Sequence, residues 1–126
     1  MSSRALTIRQ PWASLVIHAG KDVENRGWRT RHRGELLIHA GLYRPNGEEV
    51  DGLRIAYPEL PQKLPLGAII GTVDLAGCVR DSDSEWAQED AWHWLLSNPR
   101  PLDKPLYMPG KLGLWCPQTT DEERKP

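Results

Sequence analysis

Phenylalanine is absent from these 126 residues, so six tryptophans and three tyrosines supply all the aromatic volume. A buried indole needs a partner for its N–H, which makes each tryptophan either a satisfied core anchor or a stacking surface. Cysteine is scarce. Cys78 and Cys116 fit no C-x-x-C or Cys/His spacing, so neither a zinc site nor a disulfide framework is indicated. Two buried thiols in a reducing cytoplasm are the expectation. No apolar run reaches the roughly 18 residues that a membrane-spanning helix needs. Residues 1–9 lack the apolar stretch and cleavage site of a secretory leader, so the expected location is cytoplasmic. Net charge is only −1, which argues against a nonspecific nucleic-acid coat protein.

What is present is one domain's worth of chain, near the modal size of about 100–150 residues. Eleven glycines and eleven prolines suit short strands joined by many turns. Charge is unevenly placed. Residues 1–44 hold eight Lys or Arg against three acids, a surplus of five positive charges, and the remainder carries a deficit of six. Such asymmetry predicts a localised electropositive face able to meet phosphate.

Along the chain, residues 4–9 alternate as a first strand. Pro11 then opens a helix with Trp12, Leu15, Val16 and Ala19 on one stripe and Gly20 as its C-terminal cap. From Asp22 to Trp28, period-two spacing puts Glu24, Arg26 and Trp28 on one strand face. Residues 36–40 read as a strand buried on both sides, 48–57 as a modest helix, and 68–78 as a long Ile/Val-rich strand. Residues 81–90 form an acidic surface loop or short helix. Residues 91–96 read as a strand with Trp92, Trp94 and Leu96 on one side, broken by Asn98-Pro99-Arg100-Pro101. Residues 102–108 and 112–116 then pair about Pro109-Gly110. The expected architecture is mainly β with short helices (α+β): six short strands in a small closed or nearly closed barrel. Residues 1–116 form the domain, and 117–126 a polar, frayed tail.

The richest chemistry lies between Arg9 and Trp28. Lys21, Glu24 and Arg26 place an ammonium, a carboxylate and a guanidinium within one turn and one strand. Arginine can fork onto phosphate or a base edge, and a desolvated lysine can serve as base or nucleophile. Trp12 or Trp28 would stack on a base, and Gln10 and Glu24 would read it. The alternative for Glu24 and Arg26 is a solvated surface pair worth at most about 1 kcal/mol. His39, ending an apolar strand, is either a packed core histidine or a pocket-lining donor or base. Asn98 and Arg100, set between prolines, are candidate rim contacts. Lys111 counts only if its turn flanks the cleft. Asp74, inside an apolar strand, must be hydrogen-bonded or paired. No metal site and no cofactor motif is seen.

These motifs meet a known pattern. Thr7-Ile8-Arg9-Gln10-Pro11-Trp12, the run Gly20 to Arg26, Leu36-Leu37-Ile38-His39-Ala40, Gly67 to Asp74, Asn98-Pro99-Arg100-Pro101 and Gly110 to Trp115 together resemble the ASCH domain, a relative of PUA domains, in the form of a small stand-alone protein of bacterial type. The likeness runs over residues 5–116. The family signature is written G-x-K-x-x-E-x-R. Here Gly20 and Lys21 are adjacent, and the mutual spacing of Lys21, Glu24 and Arg26 is kept. The resemblance implies a PUA-like six-stranded barrel with a ligand cleft beside the first helix, and association with RNA. Some small members resemble amidohydrolases of N4-acetylcytidine, which implies Lys21 as a catalytic group. That subgroup has threonine where this chain has Glu24, and its distant glutamate has only Glu85 and Glu89 in the right region.

Three functions follow as expectations. The first is binding of RNA or a modified nucleotide through Arg9, Gln10, Trp12, Lys21, Glu24, Arg26, Trp28, His39, Asn98 and Arg100. The second is hydrolysis of a modified nucleoside by Lys21, Glu24 and His39. The third is a metal-independent ribonuclease. Neither a membrane nor an obligate protein partner is expected.

Overall fold

The computed structural model describes residues 3–126; Met1 and Ser2, where the expected domain begins, lie outside the described residues. Among these residues six strands are formed: β1 (Arg4–Ile8), β2 (Val23–Arg26), β3 (Gly34–Ala40), β4 (Ala68–Val79), β5 (Trp92–Tyr107) and β6 (Leu114–Trp115). Two helices accompany them, α1 (Trp12–His18) and α2 (Gly47–Ala56). The strands make one sheet in the order β2-β5-β4-β3-β1-β6, curled into a half-barrel. β1 and β3 are parallel and the other neighbours antiparallel. The mainly-β, PUA-like architecture is the expected one, with β2 and β6 left as the two ends of the sheet.

β3 alternates as a strand buried on both faces must. Leu36 and Ile38 join the large cluster under the concave face, with Val16 and Ile17 of α1 and Trp94 of β5. Leu37 faces the other way, onto Ala5, Ile69 and Trp115. The α1 stripe turns out to be only half of that helix's burial. Ala13, Val16 and Ile17 pack on the sheet, while Leu15 packs outward against Val50 of α2 and Leu60. A helix held between a sheet and a second helical layer is apolar nearly all round.

Both ends of α1 are satisfied by neighbours in sequence. Gln10 is fully buried; its Oε1 accepts from Ser14 N–H at 3.0 Å and its Nε2 donates to the Pro65 carbonyl at 2.9 Å. Pro11, at the entry, itself contributes no side-chain cap. At the exit Gly20 sits at φ +79°, a left-handed turn that glycine adopts without Cβ strain. α2 begins at Asn46, whose Oδ1 accepts from the Glu48 N–H at 2.8 Å.

Four expectations need correction, the first being the two buried thiols, since Cys78 is buried but Cys116 is exposed. The strand does not end at residues 98–101: β5 continues through Pro99 and Pro101, and the expected break is instead a register shift against β4 at Asn98, which sits at φ +51°. β2 covers β5 only over Trp92–Leu95 and the tail meets it only at Asp103, so at Pro99 and Pro101 the edge of β5 is uncovered and a missing N–H leaves no ladder bond unmade. The hairpin about Pro109-Gly110 does not form either. Residues 106 and 107 stay paired with β4, and Leu114–Trp115 takes the open edge of β1. The tail, expected to fray, folds back. Arg124 bonds Ser3 Oγ at 2.5 Å and Glu35 Oε1 at 3.2 Å, and the Asp103 N–H donates to the Lys125 carbonyl.

Candidate functional site

The turn at Gly20 delivers the chain from α1 directly into β2, with the Lys21 N–H donating back to the Leu15 carbonyl at 3.1 Å. Lys21 is thereby driven inward and is only 6% exposed. Its Nζ donates to the Val23 carbonyl at 2.5 Å and to Glu24 Oε1 at 3.2 Å. Glu24 and Arg26, two residues apart on β2, share a face, and Arg26 Nε donates to Glu24 Oε2 at 2.9 Å. Arg26 Nη2 donates to the Thr7 carbonyl on β1 at 2.9 Å. The carboxylate thus bridges two cations, and the guanidinium spans the seam between one end of the curled sheet and the strand next to its other end.

This cluster lies at the base of a cavity of about 820 Å³, within the usual range for small-molecule sites. Trp12 and Trp86 line it, and both rest on the Leu15–Val50–Leu60 cluster. At its outer edge are Leu42, Lys111 and Leu112, all exposed, and Arg9, whose guanidinium lies 4.8 Å from the Tyr43 ring. Four cations (Arg9, Lys21, Arg26, Lys111) line the cavity against one carboxylate, Glu24. Three of the eight basic residues of the first 44 converge here; Arg29 instead lies over Trp92.

Trp86 was hidden in the sequence as the one large apolar residue of an acidic stretch. The structure fixes its loop at several points. Asn25 Nδ2 donates to the Trp86 carbonyl and Asn25 Oδ1 accepts from Gln88 N–H, both at 2.9 Å. Ser84 Oγ donates to Asp22 Oδ1 at 2.6 Å. His93, buried and without an expected partner, accepts from Ser82 N–H at Nδ1 and donates from Nε2 to the Gln88 carbonyl at 2.6 Å. The Trp86 ring also packs against Tyr57, centroids 5.1 Å apart. Polar residues that look solvated in sequence are here the fasteners of an aromatic wall.

Of the expected binding residues, Arg9, Trp12, Lys21, Glu24 and Arg26 are brought together, and Lys111 joins them because its turn does flank the cleft. The others lie elsewhere. Gln10 is spent on the α1 cap and the Pro65 carbonyl. Trp28 leaves the Glu24/Arg26 face because β2 ends at Arg26; its ring stands edge-on to Trp94, 4.7 Å between centroids, and its carbonyl accepts the Trp94 Nε1–H. His39 is 1% exposed and belongs to the core. Its Nε2 donates to the Met108 carbonyl at 2.8 Å, which leaves Nδ1 to accept the Thr7 hydroxyl proton at 3.1 Å. Burial pushes its pKa down, partly offset by the Met108 bond. Gly110 packs so closely over this ring that a Cβ there would come within 2.8 Å of its Cε1.

Asn98 and Arg100 form a separate cluster with Asp74. Arg100 Nη2 meets Asp74 Oδ1 at 3.0 Å and Asn98 Nδ2 meets Oδ2 at 3.2 Å, so Asp74 is paired as its place in the strand requires. The Arg100 and Asn98 bonds hold its carboxyl below the ordinary range. Glu85 and Glu89 are exposed, and neither lines the cavity. Among the described residues no cluster of three His, Cys, Asp or Glu side chains could hold a metal ion, and no helix is long and apolar enough to cross a membrane.

A curled six-stranded sheet with short helices is the fold that the resemblance implied, and the comparison of sequences agrees on the family. The ASCH domain model matches residues 6–106, and the chain belongs to that family, which is associated with RNA binding. Among curated proteins it is similar to Activating signal cointegrator 1 of Homo sapiens, 31% identical, and of Mus musculus, 32% identical, over 87% of this chain in each case. The chain spans about a fifth of the length of these relatives, 21% in both.

Proposed function

We propose that this domain binds single-stranded RNA by seating one unstacked nucleotide in the cavity. The observation that carries the reading is the braced guanidinium of Arg26. Glu24 and the Thr7 carbonyl take two of its five N–H groups, and the rest are unspent among the described residues, beside two indoles. A donor held in place before binding loses little freedom when a ligand arrives. Indole walls supply sequence-tolerant stacking, and Arg9 and Lys111 at the mouth suit the flanking phosphates.

The same groups are poorly arranged for an amidohydrolase or a ribonuclease. The Lys21 ammonium already donates to a carbonyl and a carboxylate, Glu24 is bridged between two cations, and His39 faces the core. Binding of a labelled single-stranded RNA, followed by fluorescence anisotropy across a salt series, tests the proposal. With Arg9 and Lys111 as the two phosphate contacts, log K against log[salt] should have a slope of about −1.4, reduced by about 0.7 in Lys111→Ala. No saturable binding at low salt would sink the reading. Acetate released from N4-acetylcytidine by the wild type but not by Lys21→Ala would restore the hydrolase.

A further inference from the structure

From the same cavity, and resting on the reading that a nucleotide enters it, we infer that the seated base is guanine, chosen against adenine by Arg26. Of the three charged side chains at the base of the cavity, Arg26 is the one an incoming group meets. Its side chain is 24% exposed, against 6% for Lys21 and 11% for Glu24. The neighbouring acceptors are engaged. Each Glu24 oxygen accepts a hydrogen bond from a cation, and both ends of the Asn25 amide are bonded to the 86–88 backbone. The Thr7 hydroxyl is held between His39 Nδ1 and the Trp115 indole N–H. What the base of the cavity offers a ligand is therefore a fork of donors. The Gln88 side chain, exposed at the cavity edge, is the one uncommitted amide among the lining residues.

A fork of donors requires two adjacent acceptors. Guanine presents O6 and N7 side by side, and arginine pairs with both. Adenine presents N7 beside an amino group, so its N6 hydrogens would point at guanidinium hydrogens and leave buried donors unpaired. Two indoles and a cavity of about 820 Å³ favour the larger purine surface over a pyrimidine.

Titration calorimetry of the whole chain with GMP, AMP, CMP, UMP and ribose 5-phosphate tests this. GMP should bind at least about tenfold more tightly than AMP, the discrimination a good bidentate pair provides. Arg26→Gln should reverse the order of GMP and AMP, because a glutamine amide matches the adenine N6/N7 edge. Arg26→Lys keeps the charge without the fork, and should bind both purines with less than a threefold difference. Circular dichroism on both variants separates lost selectivity from lost fold. Equal affinity for GMP and AMP, CMP binding as tightly as GMP, or ribose 5-phosphate competing as well as GMP would overturn the guanine assignment and leave RNA binding standing. Failure of every mononucleotide and of single-stranded RNA to bind would instead remove the reading beneath it.

Discussion

Replacing Glu24 by glutamine separates a surface ion pair from a structural cluster by magnitude alone. The substitution keeps the shape and removes the one negative charge between Lys21 Nζ at 3.2 Å and Arg26 Nε at 2.9 Å. An exposed pair would lose at most about 1 kcal/mol. Here the carboxylate is 11% exposed and its lysine partner 6%, so the change strands a buried ammonium beside a guanidinium. Breaking a buried pair by removing one partner costs about 3–5 kcal/mol. For a chain of 126 residues, 3 kcal/mol corresponds to a fall in Tm on the order of 10–15 °C. Denaturant unfolding of the wild type, Glu24→Gln, Lys21→Met and the double variant gives the comparison. The double variant should be more stable than Glu24→Gln alone, because the stranded charge has been taken away too. A cost below about 1 kcal/mol for Glu24→Gln, or strict additivity in the double variant, would refute the account.

Acid should weaken the fold through two histidines. His39 and His18 have pKa values lowered by burial, so each binds its proton more readily in the unfolded chain. Their contribution is complete above about pH 6.5 and is lost as pH falls through the lower folded values; melting between pH 7.5 and 5 should show Tm declining, with a shallower slope in His39→Gln. Gly110→Ala should destabilise by roughly 1–3 kcal/mol in chemical denaturation, since its Cβ would lie 2.6 Å from Thr7 Oγ1 and against the His39 ring. Asn25→Ala should release the Trp86 loop and weaken RNA binding about tenfold in anisotropy titrations, approaching Trp86→Ala, while an unchanged affinity would remove that indole from the interface.

Local patterning made much of this molecule legible. Period-two spacing placed Glu24 and Arg26 on one face, the Pro11–Gly20 punctuation framed α1, and the apolar run at 36–40 announced a strand buried on both sides. Long-range pairing was harder to see. Prolines at 99 and 101 looked like a break because nothing in the local sequence says that β2 is too short to cover them. Trp28 followed the strand period in sequence, yet β2 stops two residues earlier. Trp86 was missed because its setting is acidic, and the side chains that fasten it, Asn25 and His93, lie 61 positions upstream and on the following strand. A partner chosen by tertiary contact leaves no mark in local periodicity.

The Arg26 bond to the Thr7 carbonyl is a stitch across a slit that the backbone ladder never zips. A molecule lodged at that slit would press on both lips at once, and its occupancy would be felt as mechanical tightening of the rolled sheet. Amide protons of residues 5–8 and 23–26, remote in sequence, should then slow their exchange with solvent together when the slit is filled.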